Sequence, residues 1–596
     1  MTEKTGKILI VNMTRMGDII QTTPLLQALQ AKHPDHELCY FAVSGFTEIC
    51  DLIPEIDRVI PFDFNAAIAI SKEAVRLLPR RLQELDCYLV ELHQENFTSL
   101  YNLSHSRHSA LLSYLLNVPN IHGLTLDAEG FRRIEHPWSK YFFIGNLNRH
   151  YNRINLVDVN LGMSLDVDDE IRQPHDSSHP FGKYRLSFTV KPEAVQQADK
   201  LFAAWEQNQS RFKIGIQPGA SLDCKRWPTE SFASLAQNLV EKLDAGIVVF
   251  GTKSEAGLAE EVSAPLGNHA LNLAGKTDVA SLGAALQKLD LLITNDTGTQ
   301  HVAAAVGTPV LSLCFGSALS HETGPYAKDH FVVEADLSCY PCSFHVKCSD
   351  FRCQQAVTPD IIYRTAAWML NESADNPQHW AQDTAYHDVN IWRTDFDADG
   401  FWLLRPVLQP SLKPEDLIAL CSRMLWKQVL TNPQSLPENG LDYEALKVIL
   451  EDYAPPEEAT FRPGIEEAET ALQQLSELAF DGQLNCKVLE MAAEDATIDP
   501  QQLKGAGEEL FRIDESITQM GFRLPAVNQL VLDFVFNKQN LIGDEMGELS
   551  RATHRIYKRL QNLSLALISA LSSLSPLLPL KSEVEIQDFE PVREVI

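Results

Sequence analysis

Short apolar runs alternate with helix-period segments from residue 7 to about residue 161, and after a polar stretch the same alternation begins again. In the first series the apolar runs fall at 8–11, 38–43 and 87–92, with helical periodicity at 22–32 and 109–116. Runs of this kind, separated by amphipathic segments, predict parallel strands covered by helices on both faces. The polar stretch, 166–179, is rich in Asp, Ser and His, contains Pro174 and reads as a linker. The second series predicts strands at 213–217, 246–250, 290–294 and 310–314, with helices at 230–242, 253–262 and 279–289. Two doubly wound Rossmann-like domains in one chain face each other across a cleft. Ligands of such sheets bind beyond the carboxyl ends of the strands.

At 596 residues the chain exceeds what one core supports and implies about three or four domains. We divide it at 1–180 (first α/β domain with linker), 181–372 (second α/β domain), 373–455 (a small hairpin and helix region) and 456–596 (an acidic helical domain). The hairpin pairs 387–392 with 401–404 across Asp397-Ala398-Asp399-Gly400. Helical spacing recurs near 413–430, 443–453, 464–480, 500–520 and 545–574. A formal net charge of −30 argues against nucleic-acid binding, which needs a basic surface, so an anionic ligand must be held by a local site. Residues 1–6 are polar and lead straight into an apolar run without a signal-like core, which predicts a cytoplasmic protein.

Three loops carry the chemistry. The strand at 290–294 runs into Asn295-Asp296-Thr297-Gly298-Thr299-Gln300-His301 and then a helix. The first N–H groups of a helix lack internal partners and favour anions, and Gly298 removes a side chain where a ligand approaches. The first strand ends in Asn12-Met13-Thr14-Arg15-Met16-Gly17-Asp18: Gly17 permits a tight turn, Asp18 is a helix cap or a general base, and Arg15 can orient Asp18 or an anion. The second domain's first strand ends in Gln217-Pro218-Gly219-Ala220-Ser221, followed by Lys225-Arg226-Trp227-Pro228. Ser221 offers a hydroxyl and Lys225 a point charge. In a further loop, Glu255 is a ribose acceptor or a solvated first-turn glutamate. Taken singly, each loop is also an ordinary turn.

In order along the chain, these motifs resemble glycosyltransferase family 9, typified by the ADP-heptose:lipopolysaccharide heptosyltransferases. The resemblance covers about residues 7–370 and includes Asn102-Leu103-Ser104 through Ala110-Leu111-Leu112, then Ile121-His122-Gly123. It implies a GT-B-type α/β fold and inverting, metal-independent transfer of a heptose from a nucleotide diphosphate, ADP-heptose first. UDP- or GDP-linked donors, an epimerase and a non-catalytic nucleotide-sugar-binding scaffold are the alternatives. By this resemblance Asp18 is the base and Lys225, Ser221, Thr297 and Gly298 hold the diphosphate. Glu255 binds ribose, Thr277 lines the adenine pocket, Asp296 and His301 shape the donor loop, and Arg15 and Gly17 form the acceptor-side loop. Where the family often has a second hydroxyl residue before Ser221, this chain has Ala220. The acceptor it implies is a lipopolysaccharide core, another glycan, a lipid-linked acceptor or a protein.

Of eleven cysteines, Cys339, Cys342, Cys348 and Cys353 crowd into one loop. Four thiols satisfy the count for a structural iron or zinc centre, and reduced thiols in a surface loop are the alternative. Near the C-terminus, Arg551, His554, Arg555, Lys558 and Arg559 precede an apolar tract at 563–571 that is broken by serines. Three readings fit it: a bundle helix with a basic face, a peripheral contact with the inner membrane, and an oligomerisation module.

Overall fold

The computed structural model describes residues 4–63, 72–134, 136–166, 180–203, 205, 210–344, 346–373, 377–380, 382–432, 441, 444–494, 499–575 and 578. The linker at 166–179 lies outside these except for Asp166. The chain forms two compact units, one of residues 1–139 and 154–408, the other of residues 140–153 and 409–596.

The first unit contains both α/β halves. Its first sheet comprises β1 (Gly6–Asn12), β2 (His36–Val43), β3 (Arg58–Phe62), β4 (Ser99–Asn102), β5 (Asn120–Leu126) and β6 (Arg132–Ile134), in the order β3-β2-β1-β4-β5-β6. All pairs are parallel except β5 with β6, and Leu9 sits in register with Cys39 on one side and Leu100 on the other. Ile8, Leu9, Ile10 and Val11 are all buried, as a strand covered on both faces requires.

The second sheet comprises β7 (Phe212–Gln217), β8 (Ala245–Val249), β9 (Ala270–Asn272), β10 (Leu291–Asn295), β11 (Val310–Cys314), β12 (Phe331–Ala335), β13 (Val389–Phe396) and β14 (Trp402–Pro406). Its order, β14-β13-β12-β11-β10-β7-β8-β9, contains the Rossmann arrangement of six parallel strands. Strand order reverses between β1 and β4 in one half and between β7 and β10 in the other, so each half has a switch point where loops diverge and a ligand can enter.

Two expectations change. Residues 87–92 form no strand but the end of the helix Lys72–Gln94. A six-residue apolar run cannot by itself separate strand from buried helix, and the strand comes later, at β4. The hairpin is not part of a separate small region, because β13 pairs antiparallel with β12 and extends the second sheet. Its turn is closed by Asp397, whose Oδ1 accepts from the Asp399 and Phe401 N–H groups, with Gly400 at φ +83°. The change from α/β to helical unit therefore falls at 408/409.

The second unit is helical: Pro414–Thr431, Glu444–Leu450, Glu458–Glu494, Pro500–Arg523, Pro525–Gln539 and Met546–Leu574. Leu472, Leu475 and Cys486 on the longest helix and Tyr557, Leu563 and Leu571 on the last are fully buried, which is an apolar stripe at helical spacing turned to a core. The basic face of the last helix is engaged within this unit. Arg559 pairs with buried Asp533 at 2.7 Å and His554 with Glu490 at 3.1 Å. This favours the bundle-helix reading over a membrane-facing one. No described helix is long and apolar enough to cross a membrane. Residues 140–153, early in the chain, also belong to this unit: Lys140 donates to Asn537 (2.7 Å), Asn148 to the Pro525 carbonyl (2.8 Å), and Tyr141 packs on Trp426.

Candidate active site

A cleft of about 800 Å³ opens within the first unit at the carboxyl ends of β1, β7 and β10. That size suits a nucleotide sugar, and the position is the one the strand order dictates. It is lined by Arg15, Gly17, Asp18, Ser221, Lys225, Glu255, Thr277, Asp296, Thr297, Gly298 and His301, so every residue expected of the base, the donor site and the acceptor-side loop reaches one cavity.

On the first half, β1 ends and the helix Met16–Gln21 begins with Arg15 at its N-cap. The Arg15 N–H donates to Asp18 Oδ2 at 3.1 Å. Asp18 is therefore a cap and a cleft carboxylate at once, and the two readings do not exclude one another. On the second half, β10 delivers the helix Gly298–Val306. The Thr297 side chain at its N-cap makes no capping hydrogen bond, leaving the first helical N–H groups directed at the cleft.

The two helix starts touch. A β-carbon on Gly17 would lie 3.1 Å from Gly298 Cα and 2.9 Å from the His301 ring, and one on Gly298 would lie 3.3 Å from the Gly17 nitrogen. Glycine at both positions lets the loop that bears Asp18 and the start of the helix Gly298–Val306 meet backbone to backbone.

Lys225 and Asp296 form an ion pair at 2.9 Å, their side chains only 16% and 9% exposed. Burial pushes the Asp296 carboxyl up, but the Lys225 charge and hydrogen bond outweigh it and hold the group below the usual carboxylate range. Asp296 Oδ1 also accepts from Gln300 Nε2 (2.9 Å) and Thr323 Oγ1 (3.1 Å). Gln300 is fixed in turn, donating to the Thr323 carbonyl and accepting from Ser312. Asn295 ties the neighbouring loop: its Nδ2 donates to the Pro218 and Gly219 carbonyls and its Oδ1 accepts from the Trp227 N–H. Burial lowers the His301 imidazole against the opposing pull of Asp296 and Asp18, so the ring is neutral near pH 7.

Glu255 lines the cleft as the last member of a capping box, its Oε2 accepting from the Thr252 N–H at 2.7 Å. Gln217, Thr252, Ser254, Asp278, Val279, Leu282 and Thr323 line it too, as do Gln21 and Glu48 from the first half, and the sequence did not single these out. Asp278 had a readable signal, because Ser281 three residues on completes a capping box. Gln300 and Asn295 lay inside a motif but carry no charge to mark them.

The four-cysteine loop does not meet its expectation. Among the described residues no group of three His, Cys, Asp or Glu side chains is arranged to hold a metal ion, so the structure lends no support to a centre at Cys339, Cys342, Cys348 and Cys353. Cys348 Sγ accepts from the Phe351 N–H, Cys342 Sγ donates to the Cys339 carbonyl, and burial together with the nearby thiols of Cys353, Cys348 and Cys339 pushes Cys342 up to about 11.

Residues 89–350 match glycosyltransferase family 9 (heptosyltransferase). The lipooligosaccharide heptosyltransferase 2 of Haemophilus ducreyi is 25% identical over 335 residues, 55% of this chain and 88% of that protein. The lipopolysaccharide heptosyltransferase 2 of Escherichia coli K12 is 24% identical over 323 residues, 52% of this chain and 82% of that protein. Among solved structures, that of the E. coli ADP-heptose LPS heptosyltransferase II aligns over 62% of this chain and 100% of its own at 20% identity, with a TM-score of 0.44.

Proposed function

We propose that this chain, whose residues 89–350 match glycosyltransferase family 9, transfers a heptose-type sugar from ADP-heptose to a hydroxyl of a lipopolysaccharide-core or related glycan acceptor, with inversion at the anomeric carbon. The observation that carries this reading is the convergence of Asp18, the Lys225–Asp296 pair and the uncapped start of the helix Gly298–Val306 on one cleft. A carboxylate and a buried cation facing each other across one cavity suit a displacement in which a proton leaves one side and negative charge gathers on the other.

In the proposed reaction the acceptor oxygen attacks the anomeric carbon while the Asp18 carboxylate takes its proton. The bond from that carbon to the diphosphate oxygen breaks, and its electron pair departs with ADP. One displacement from the face opposite the leaving group inverts the centre. Lys225, the Ser221 hydroxyl and the N–H groups at Thr297 and Gly298 take up the charge growing on the diphosphate, the role a divalent cation has in other transferases. Glu255, Thr277 and Asp278, which also line the cleft, hold the nucleoside in this reading. Asp296 acts through Lys225, holding the ammonium at a fixed point. With a nucleotide-sugar donor, the reaction belongs to the cytoplasm.

Asp18→Asn keeps the shape and removes the base. We expect transfer from ADP-heptose to fall by about 10²–10⁴-fold, with donor binding little changed. Turnover close to wild type would remove Asp18 from this role.

A further inference from the structure

Gln21 ends the helix Met16–Gln21, three residues beyond Asp18 and so on the same helical face. It lines the cleft, is only 1% exposed, and has no hydrogen-bond partner at either amide atom, Oε1 or Nε2. Among the described residues of the cleft, the other buried side chain with an unmet polar atom is His301, at Nδ1, whose ring lies against Gly17. The unmet groups of the cleft thus gather around the base.

The polar side chains of the neighbouring Thr22 and of β1 and β2 bond to one another and not to Gln21. Tyr40 receives the Asn12 amide at 2.9 Å and shares a 3.0 Å contact with the Thr22 hydroxyl, which also donates to the Ile19 carbonyl. A buried amide without partners destabilises a fold, and an apolar side chain of equal size would serve this position better if packing were its only task. An amide presents one donor and one acceptor side by side, the complement of two adjacent hydroxyls. Because Gln21 shares a face with Asp18 rather than with the Glu255 and Thr277 side of the cleft, the ligand it meets is at the reacting carbon, not at the base of the nucleotide.

We propose that Gln21 is a specificity-determining residue that binds a vicinal pair of hydroxyls on the pyranose ring seated beside Asp18. This rests on reading the cleft as a glycosyl-transfer site. The ring is either the sugar being transferred or the acceptor sugar, and the two sources separate by experiment.

Gln21→Met keeps the length and removes the amide, and Gln21→Leu serves as a second variant should the first fold poorly. Ligand-free protein should melt at a higher temperature in the variant, because the unmet amide is gone, and ADP affinity should be unchanged. If the ring is the donor's, ADP-heptose should bind about tenfold or more weakly to the variant, so that its advantage over ADP collapses. If the ring is the acceptor's, donor binding stays and KM for a lipopolysaccharide-core acceptor rises by a similar factor. The assignment is overturned if wild-type protein binds ADP-heptose and neither quantity moves, or if the variant loses stability and ADP and ADP-heptose affinities fall together. Wild-type protein that binds no ADP-, UDP- or GDP-sugar overturns the transfer reading itself, and this inference with it.

Discussion

Lys225 shows how tightly single residues are coupled here. Its ammonium is what keeps the buried Asp296 ionised. Lys225→Ala removes one partner of the pair and leaves a carboxylate without its counter-charge, a change that costs about 3–5 kcal/mol when a buried pair is broken. The sign with pH follows from linkage. In the wild type the lowered Asp296 pKa stabilises the fold above the unfolded carboxylate value, and that contribution is lost as pH falls through the folded value. In the variant burial is opposed only by the hydrogen bonds from Gln300 and Thr323 and by His301, so the pKa moves up, and the penalty is largest at neutral pH and shrinks as acid protonates the group. Melting curves of both proteins at pH 7 and pH 5 should show the gap narrowing in acid, and a gap independent of pH would mean that Asp296 is stabilised by its hydrogen bonds alone. Charged residues at loop positions were legible in the sequence because each sits at the end of an apolar run. Gln21, Asn295 and Gln300 were not, since an amide gains its role only from partners that the strand order brings together.

At the scale of elements, the decisive contact is between the starts of two helices, Met16–Gln21 and Gly298–Val306. Gly17→Ala would put a methyl group 3.1 Å from Gly298 Cα, against backbone that cannot swing aside as a side chain can. The account predicts a folded enzyme in which the base stands back from the diphosphate site, with kcat lower by about 10²-fold and donor affinity nearly kept, since a small misplacement costs rate more than binding. Equal losses in kcat and in donor affinity would instead mean a general disturbance of the cleft. The alternating elements themselves were readable: β7, β10 and β11 lie within a residue of the sequence expectation. The run at 87–92 was misread because its local pattern fits strand and helix alike, and only packing decides between them.

For the whole molecule, the sequence ended the α/β pattern at 372, short of the 408/409 boundary, and gave no sign that residues 140–153 belong with the later helices. No local signal announces a partnership across 377 residues of chain, as between Asn148 and Pro525. A consequence is that the helical unit is not a removable tail. A chain ending at Leu408 would strip the helix Pro137–Leu147 of its partners Trp426 and Asn537, exposing Tyr141 to water. Such a protein should aggregate or melt well below the full chain in a thermal shift assay, and an equally stable, monodisperse product would show that residues 140–153 need no such cover. The donor preference of the cleft is read by incubating the purified 596-residue protein with ADP-heptose, a UDP-sugar and a GDP-sugar and measuring thermal stabilisation together with release of the free nucleotide. ADP-heptose should stabilise the protein and slowly release ADP, beyond any effect of the other two donors. Preferential stabilisation by a UDP- or GDP-sugar, or indifference to all three, would contradict the proposed function.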